Sequence, residues 1–376
     1  MVRDVSALPP LTAIPPDLQT LADYERLAER HMAASSWAHL QSGAGDGLTL
    51  ARNRAALDAL ALLPRMLADL RGGHTRRTLF GRDHAAPILF APIAYQRLAH
   101  PEGELACVRA SIAMGIGMVV STLSSVPLEA IADAGREAVR QLDTAPSPLW
   151  FQLYLQETRE ASASLVARAE AAGYEAIVLT VDASVKRSGF ALPPGVTAAN
   201  FNEGRDRRQM SAPRGAILFG TPLADAAPTW QDVAWLRAQT RLPLLIKGIL
   251  AAEDARAAVA IGVDGIIVSN HGGRTLDGAP SAVEMLPAVL EATGGAVPLL
   301  VDGGVRSGTD VAKALALGAA AVLVGRPQMH GLAVAGMAGV AHVAHILRAE
   351  LELVMAQLGC PTLDRIGPAR LFRAGP

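Results

Sequence analysis

Short apolar runs alternate with longer mixed stretches over most of the chain, from Pro87 to Val324. The runs are rich in β-branched residues and have no polar face, which is typical of parallel strands buried on both sides. The stretches between them are rich in Ala, Leu, Glu and Arg, and nearly all are long enough for a helix. The predicted strands are Ile88–Ala91, Met118–Ser121, Leu149–Leu153, Ala176–Val181, Leu244–Lys247, Gly265–Val268, Leu299–Val301 and Ala321–Val324.

Eight strand-helix units close naturally into a (β/α)8 barrel, so the pattern predicts a single α/β domain of the TIM-barrel class. A doubly wound open sheet is the rival fold. It would need a G-x-G-x-x-G motif after its first strand, and the chain has none there. We assign the barrel to residues 86–376. Residues 1–85 are predicted as a proline-rich arm (1–18) and helices, with helical spacing at Leu18–Leu40 and Leu48–Leu62.

One connection interrupts this rhythm after the fourth predicted strand, over residues from about 183 to 229. It contains several Pro and Gly residues and a charged cluster at 205–208. Long irregular connections inside a barrel are usually lids or lack fixed structure. We therefore predict a lid loop over the site.

Composition narrows the classes of function. The 376 residues are 51% hydrophobic and 18% charged with a net charge of −1, so neither nucleic acid nor an anionic membrane is expected as a partner. Cys107 and Cys360 lack the spacing of a metal or redox motif and are predicted to be thiols in a reducing compartment. No signal-peptide core and no apolar run of membrane-spanning length is evident, so we expect a cytoplasmic protein.

Polar side chains collect where the apolar strands end. In a barrel the C-terminal ends of all strands meet on one face, so these side chains should converge, which a purely structural role in the core does not explain. The residues at these ends are Pro92, Ile93, Ala94, Ser121, Gln152, Tyr154, Thr180, Asp182, Lys247, Ser269, His271, Arg274, Asp302, Gly304, Arg306, Gly325 and Arg326.

Two glycine-rich turns follow the seventh and eighth strands, at 301–308 and 324–327. These are the loops at which barrels bind phosphate, through backbone N–H groups and a helix N-terminus. Arg306 and Arg326 would add charge-assisted hydrogen bonds. Asp302 would repel a phosphate and is better suited to accept hydrogen bonds from hydroxyl groups.

The stretch Gly265–Asp277 begins as a buried strand and ends in a polar turn that carries His271 and Arg274. A histidine can accept a proton near neutral pH, and an arginine can hold a carboxylate by two parallel hydrogen bonds. Without other motifs, a loop histidine beside a solvated arginine would be an equally good interpretation.

Several motifs in order resemble the FMN-dependent 2-hydroxy-acid oxidases and dehydrogenases, from about Tyr24 to the C-terminal helices. Two shorter stretches, 94–98 and 189–193, are most similar to the branch that oxidises 4-hydroxymandelate. The motifs that carry the resemblance are Ala91–Glu104, Phe151–Tyr154, Thr180–Asp182, Lys247, Ser269–Asp277 and Val301–Pro327.

The resemblance implies FMN as cofactor and oxidation of an L-2-hydroxy acid to a 2-keto acid, with oxygen or another electron acceptor. It also implies a homotetramer. His271 would be the general base, which removes the proton of either the hydroxyl or the α-carbon, and Asp182 would stabilise its imidazolium. Arg274 and Tyr24 would hold the carboxylate, and Tyr154 would bond the substrate hydroxyl. FMN would be contacted by Pro92, Ile93, Ala94, Ser121, Gln152, Thr180, Lys247, Ser269, Asp302, Gly304, Arg306, Gly325 and Arg326.

Three positions depart from, or refine, this family pattern. A Gly-Arg-Arg element usually follows the Thr-Val-Asp motif, whereas residues 183–190 are shorter and offer only Lys186 or Arg187. Leu123 stands where plant glycolate oxidases have Trp, which favours a bulky, mandelate-like acid. Ala94, where many dehydrogenases have Gly, favours an oxidase.

Three alternatives remain open from sequence. They are a dehydrogenase that uses a quinone or protein acceptor, a flavin-binding protein without turnover, and an aldolase that forms a Schiff base at Lys247.

Overall fold

The computed structural model describes residues 7–184, 190–201, 218–225 and 227–372. The strands are β1 (Ala61–Leu62), β2 (Arg77–Leu79), β3 (Arg82–His84), β4 (Ile88–Phe90), β5 (Gly117–Ser121), β6 (Leu149–Leu153), β7 (Ala176–Thr180), β8 (Leu244–Ile249), β9 (Gly265–Val268), β10 (Leu299–Asp302), β11 (Ala321–Val324) and β12 (Leu371–Phe372). The helices are α1 (Leu21–His31), α2 (Ala34–Gln41), α3 (Leu48–Ala59), α4 (Glu104–Met114), α5 (Leu128–Leu142), α6 (Arg159–Ala172), α7 (Pro222–Asp225), α8 (Trp230–Gln239), α9 (Ala252–Ile261), α10 (Ala282–Thr293), α11 (Gly308–Ala316) and α12 (Arg326–Gln357).

Strands β4 to β11 form a closed parallel barrel in which each strand pairs with the next and β11 pairs with β4. The predicted (β/α)8 fold is therefore confirmed, with every strand boundary within two residues of the prediction. The strand side chains are buried because one set fills the barrel and the other set packs under the surrounding helices. The hairpin β2–β3 closes the N-terminal end, where Leu79 and Phe80 pack against the interior residues.

The N-terminal region contains two helices where the sequence predicted one. Met32 has an extended backbone (φ −118, ψ 148), which ends α1 and sets the angle at which α2 begins. The predicted Leu48–Leu62 helix ends at Ala59, and Ala61–Leu62 pairs with β12 at the other end of the chain. The described part of the arm is irregular, with a turn at Pro15–Leu18, and bonds to Arg30 and Val334 through the backbone.

The long element α12 bends at Ala335 and Gly336, whose backbone angles are not helical. Gly336 adopts a positive φ of 54, which glycine tolerates better than other residues. By length and apolar composition this element could cross a membrane, a feature that sequence inspection had missed. Its most apolar window is 61% buried in the protein, as expected of a core helix.

The predicted lid lies between β7 and α8. Its described parts are a turn ending at Ser184, an irregular stretch at 190–201 and the short helix α7. Residues 185–189, 202–217 and 226, which include Lys186 and Arg187, lie outside the described residues.

Candidate active site

A cavity of about 780 Å³ opens at the C-terminal ends of the barrel strands. This volume lies in the range of pockets that bind cofactors and small ligands. The predicted residues that line the cavity are Pro92, Ile93, Ala94, Ser121, Tyr154, Lys247, His271, Arg274, Asp302, Gly304, Arg306, Gly325 and Arg326.

Four further predicted residues lie directly behind this lining. Gln152 Oε1 accepts from Ser121 Oγ (3.3 Å), and Thr180 pairs with Lys247 between β7 and β8. Asp182 contacts His271, and Ser269 contacts Lys247. The structure thus brings together all of the predicted residues except Tyr24.

His271 and Asp182 form a hydrogen-bonded pair at the strand ends, with His271 Nδ1 2.8 Å from Asp182 Oδ1. A carboxylate can only accept a hydrogen bond, so Nδ1 carries the proton and Nε2 is the basic ring nitrogen. Nε2 lies 3.5 Å from the hydroxyl of Tyr154. Burial raises the pKa of Tyr154, and the charge of Asp182 adds to the effect, so the phenol stays protonated and can donate.

The backbone of His271 is held in an uncommon conformation. Its φ of 58 is in the left-handed region, which costs roughly 1–2 kcal/mol for a residue with a side chain. The hydroxyl of Ser269 accepts from the His271 N–H (3.0 Å), and Asn270 Oδ1 accepts from the N–H of Gly273 (3.0 Å). These bonds fix the imidazole at the cavity wall.

Lys247 forms a buried ion pair with Asp302, with Nζ 2.9 Å from Oδ2, and also donates to Ser269 Oγ at 2.7 Å. Burial opposes its charge, but Asp302 and Asp182 more than offset this, so the pKa of Lys247 is raised. A protonated amine is not a nucleophile, and this argues against the Schiff-base alternative.

The arrangement of buried polar atoms fits FMN. Among the described residues, Gln152 Nε2, Thr180 Oγ1 and Asp302 Oδ1 are buried and have no protein partner. Unpartnered buried polar atoms are costly, and their position beside the cavity calls for a polar ligand. A flavin ring has acceptors that suit the amide and the threonine hydroxyl, and ribityl hydroxyls suit the carboxylate.

The two glycine turns lie at the other end of the cavity. Gly303 and Gly304 have positive φ values of 99 and 81, and a Cβ on Gly304 would lie 2.4 Å from the carbonyl oxygen of Asn53. Only glycine therefore fits the turn between β10 and α11. Arg306, whose Nε lies 3.6 Å from Glu25 Oε2, and Arg326 supply positive charge there. These features suit the FMN phosphate.

Arg274 and Arg326 both donate to the C-terminal turn of α2. Arg274 Nη1 bonds the carbonyls of His39, Leu40 and Ser42 at 2.9–3.1 Å. Arg326 bonds the carbonyls of Leu40 and Ser42 and, through Nη1, that of Gly272 (3.1 Å). Helix C-termini leave carbonyls without helical partners, and these accept from cations.

Burial strongly affects these two guanidinium groups. It lowers the pKa of Arg274. Burial and the neighbouring Arg274 and Arg306 lower the pKa of Arg326 to about 9. An anion in the cavity would be favoured because it relieves this repulsion.

The prediction for Tyr24 is corrected by the structure. Its side chain is fully buried in α1 against α12, and its hydroxyl lies 2.9 Å from His342 Nδ1, not at the cavity. Helical spacing identified Tyr24 as a residue on a packed face but could not show which neighbour it packs against.

The structure also adds residues that sequence reasoning missed. His39 lines the cavity near the end of α2, and its ring stacks on Phe190 with centroids 4.0 Å apart. Tyr95, Leu98 and Leu192 also line the cavity. The glycine-rich turn after α2 was the one sequence signal that could have drawn attention to His39.

The barrel cavity has basic side chains at the end that suits a phosphate and an acid-base pair at the strand ends. It also has buried polar atoms that suit a flavin and have no protein partner among the described residues. Together these features define a flavoenzyme of the FMN class. The model of the FMN-dependent dehydrogenase family matches residues 28–373. The chain belongs to this family of FMN-dependent 2-hydroxy-acid oxidases and dehydrogenases, and its cofactor is FMN.

Individual relatives agree over nearly the whole chain. An L-lactate oxidase of Alicycliphilus denitrificans is 50% identical, covering 95% of this chain and 97% of the relative. A 4-hydroxymandelate oxidase of Amycolatopsis orientalis is 46% identical, covering 93% and 96%. The crystal structure of a mandelate oxidase with 3,3-difluoro-2-hydroxy-3-phenylpropionic acid superposes with a TM-score of 0.83 at 44% identity, covering 95% of this chain and 99% of that one.

Proposed function

We propose that this protein oxidises an L-2-hydroxy acid with an apolar side chain to the 2-keto acid, using oxygen as the electron acceptor and producing hydrogen peroxide. One observation carries the proposal. The His271–Asp182 pair, the guanidinium of Arg274 and the FMN cradle face a single cavity. When bound, FMN supplies the two-electron acceptor for the reaction.

Arg274 would bind the substrate carboxylate. Its Nη1 atom is held by three carbonyls, which orients the rest of the guanidinium toward the cavity. Fixing the carboxylate fixes the α-carbon, and such prepaid orientation is a large part of catalysis. We also expect the ring of His39, which lines the cavity, to lie near the substrate carboxylate.

His271 would accept the proton of the substrate hydroxyl at Nε2. Asp182 would stabilise the resulting imidazolium through Nδ1, since an adjacent carboxylate raises the proton affinity of a histidine. The Tyr154 hydroxyl, 3.5 Å from Nε2, would hydrogen-bond the same substrate oxygen and orient it toward the base.

Apolar residues make up the wall that would face the substrate side chain. Leu98, Leu123, Leu192 and Phe190 line the cavity and would form this wall. Such a wall offers little to the polar part of a small acid but removes an aryl or branched side chain from water. The similarity to lactate, hydroxymandelate and glycolate oxidases supports this reaction class, and the wall supports a bulky member of it.

An anaerobic substrate panel tests the proposal. The FMN-loaded protein is mixed with lactate, mandelate, 4-hydroxymandelate and glycolate, and the flavin absorbance is followed. We expect bleaching, fastest with a bulky L-acid, and one equivalent of peroxide per keto acid in air. Bleaching with slow peroxide formation would favour a quinone or protein acceptor.

The short loop after Thr180–Asp182 gives a second candidate, a flavin-binding protein without turnover. The family's second arginine has no counterpart among the described residues there, and Lys186 and Arg187 fall outside them. A flavin that stays yellow with every acid would support this candidate. The His271→Ala variant should keep FMN and lose reduction by substrate, which separates catalysis from cofactor binding.

We also propose a cytoplasmic homotetramer. The segment 63–73 is exposed throughout, with Leu63 (46%), Met66 (68%), Leu67 (104%) and Leu70 (41%) open to solvent. Apolar exposure on this scale is typical of surfaces that other chains cover. Light scattering of the FMN-loaded protein tests the assembly, and Leu67→Asp should shift it toward smaller species.

A further inference from the structure

Two loops at the cavity wall are joined by hydrogen bonds. The first, residues 94–98, follows β4 and contributes Ala94, Tyr95 and Leu98 to the cavity. The second, residues 121–125, follows β5 and contributes Ser121 and Leu123. The Tyr95 N–H donates to the Leu123 carbonyl at 3.0 Å, and the Arg97 N–H donates to Ser125 Oγ at 3.1 Å. The two loops are therefore linked directly to each other.

Glu104 holds both loops from behind. It lies in the first turn of α4 with 0% of its surface exposed, and it does not line the cavity. Its Oε1 atom accepts from the Gln96 N–H (3.1 Å) in one loop and from the Ser125 N–H (2.8 Å) in the other. Burial raises the pKa of Glu104, and the backbone N–H groups of Ser125, Gln96 and the helix N-terminus oppose this shift. Oε1 can accept both hydrogen bonds whether or not the other oxygen carries a proton.

The first of these loops is strained at Tyr95, which lines the cavity. Tyr95 has φ 56 and ψ 50, a left-handed conformation that costs a residue with a side chain roughly 1–2 kcal/mol. Such a conformation persists only where the surroundings enforce it. The bond from Glu104 to Gln96, the next residue, and the bond from Tyr95 to Leu123 are two contacts that help to enforce it here.

We propose that Glu104 is a positioning residue for substrate selection, which rests on the proposed function. Its carboxylate keeps Tyr95 in the left-handed conformation and fixes the spacing of Tyr95, Leu98 and Leu123. These three residues line the cavity that the hydroxy acid would occupy and would contact its side chain. Without the acceptor the two loops separate, the wall loses its shape, and bulky acids lose orientation more than small ones.

The test compares three variants in FMN-loaded protein. Glu104→Leu removes the acceptor, Glu104→Gln keeps an oxygen that can accept from both N–H groups, and Glu175→Leu is the matched control. Glu175 is a partly buried carboxylate that pairs with Arg82 just before β7, at the opposite end of the barrel. Anaerobic mixing yields the reduction rate and the apparent Kd for mandelate and for glycolate.

We expect Glu104→Leu to lower the mandelate rate relative to the glycolate rate by roughly ten- to a hundredfold, the size of effect seen for small misplacements. FMN affinity should stay within about threefold, and Glu104→Gln and Glu175→Leu should keep the wild-type ratio. An unchanged ratio in Glu104→Leu would overturn the proposal. So would an equal change in Glu104→Gln, because the loss would then follow the charge and not the acceptor.

A second variant and a measurement of ligand affinity complete the test. If Glu104→Leu does not fold, Ser125→Ala removes one loop-to-loop bond and should shift the ratio in the same direction by a smaller factor. An unchanged ratio there also contradicts the proposal. If no hydroxy acid reduces the wild-type flavin, the proposed reaction fails. The relative affinities for benzoylformate and glyoxylate, read from flavin difference spectra, then test the wall by themselves.

Discussion

His271 and Asp182 are joined through Nδ1 and Oδ1 at 2.8 Å, although they follow strands β9 and β7, which are not adjacent in the barrel. Strand β8 runs between these two strands, and Gly248 near its C-terminal end has a φ of 109 and lies close to Asp182. A Cβ on Gly248 would lie 2.6 Å from that of Asp182. The absence of a side chain at Gly248 is therefore what lets the two groups meet.

Asp182→Asn should keep FMN and lower the rate of flavin reduction by roughly 10²–10⁴-fold. An amide preserves the shape but stabilises the imidazolium poorly, and it can present its NH₂ group to Nδ1. The measurement is stopped-flow reduction under anaerobic conditions. A rate within about threefold of wild type would show that Asp182 does not assist His271.

Arg274→Lys should weaken binding of the 2-keto acid product roughly ten- to a hundredfold, corresponding to about 1.5–3 kcal/mol for hydrogen bonds to a charged group. A lysine has no planar fork and cannot bond three carbonyls while facing a carboxylate. Titration monitored by the flavin spectrum measures the change. Arg306→Lys, at the phosphate end, is the control and should alter FMN affinity instead.

Lys247→Met should destabilise the FMN-free protein by about 3–5 kcal/mol, because it leaves the Asp302 carboxylate buried without its cation. Urea unfolding measures the loss. Adding Asp302→Asn should restore part of it, since the uncompensated charge is then gone. Equal stability of the single and double variants would mean that the ion pair carries no such coupling.

His84 makes stability depend on pH. Burial lowers its pKa from 6.5 to about 4 in the folded protein, so the unfolded chain binds a proton that the folded one does not. Its contribution is present above pH 6.5 and is lost as the pH falls from 6.5 toward 4. The slope should be about 1.4 kcal/mol per pH unit within this window.

His84→Phe should raise the stability at acidic pH and flatten this slope. The two ring nitrogens are buried without partners in the described part of the protein, and the ring already packs edge-on against Trp150. Urea unfolding between pH 4.5 and 7 measures the free energy of unfolding and its slope with pH.

Tyr24→Phe should cost about 0.5–1.5 kcal/mol of stability through the lost bond to His342 and leave kcat/KM unchanged. His39→Ala should do the reverse, with a clear rise in KM and little change in melting temperature. Steady-state kinetics beside thermal unfolding distinguishes the two. A rise in KM for Tyr24→Phe would restore the role that the sequence had suggested.

The barrel could be predicted from sequence because its strands are continuous apolar runs that differ sharply from the helices between them. The positions of the site residues followed, since the ends of parallel strands converge. The pairing of Lys247 with Asp302 was not predictable, because partners on β8 and β10 meet only after closure. The role predicted for Tyr24 was wrong for a related reason, since the spacing within one helix does not specify which element that helix packs against.

The C-terminal turn of α2 gives the first forty-odd residues a part in the chemistry. Two buried guanidinium groups find their acceptors there, on a segment that is not part of the barrel. A minimal enzyme trimmed to its β/α repeats would lose the three carbonyls that Arg274 bonds and two of the three that Arg326 bonds. Any redesign, circular permutation or domain graft therefore has to carry this N-terminal piece with it.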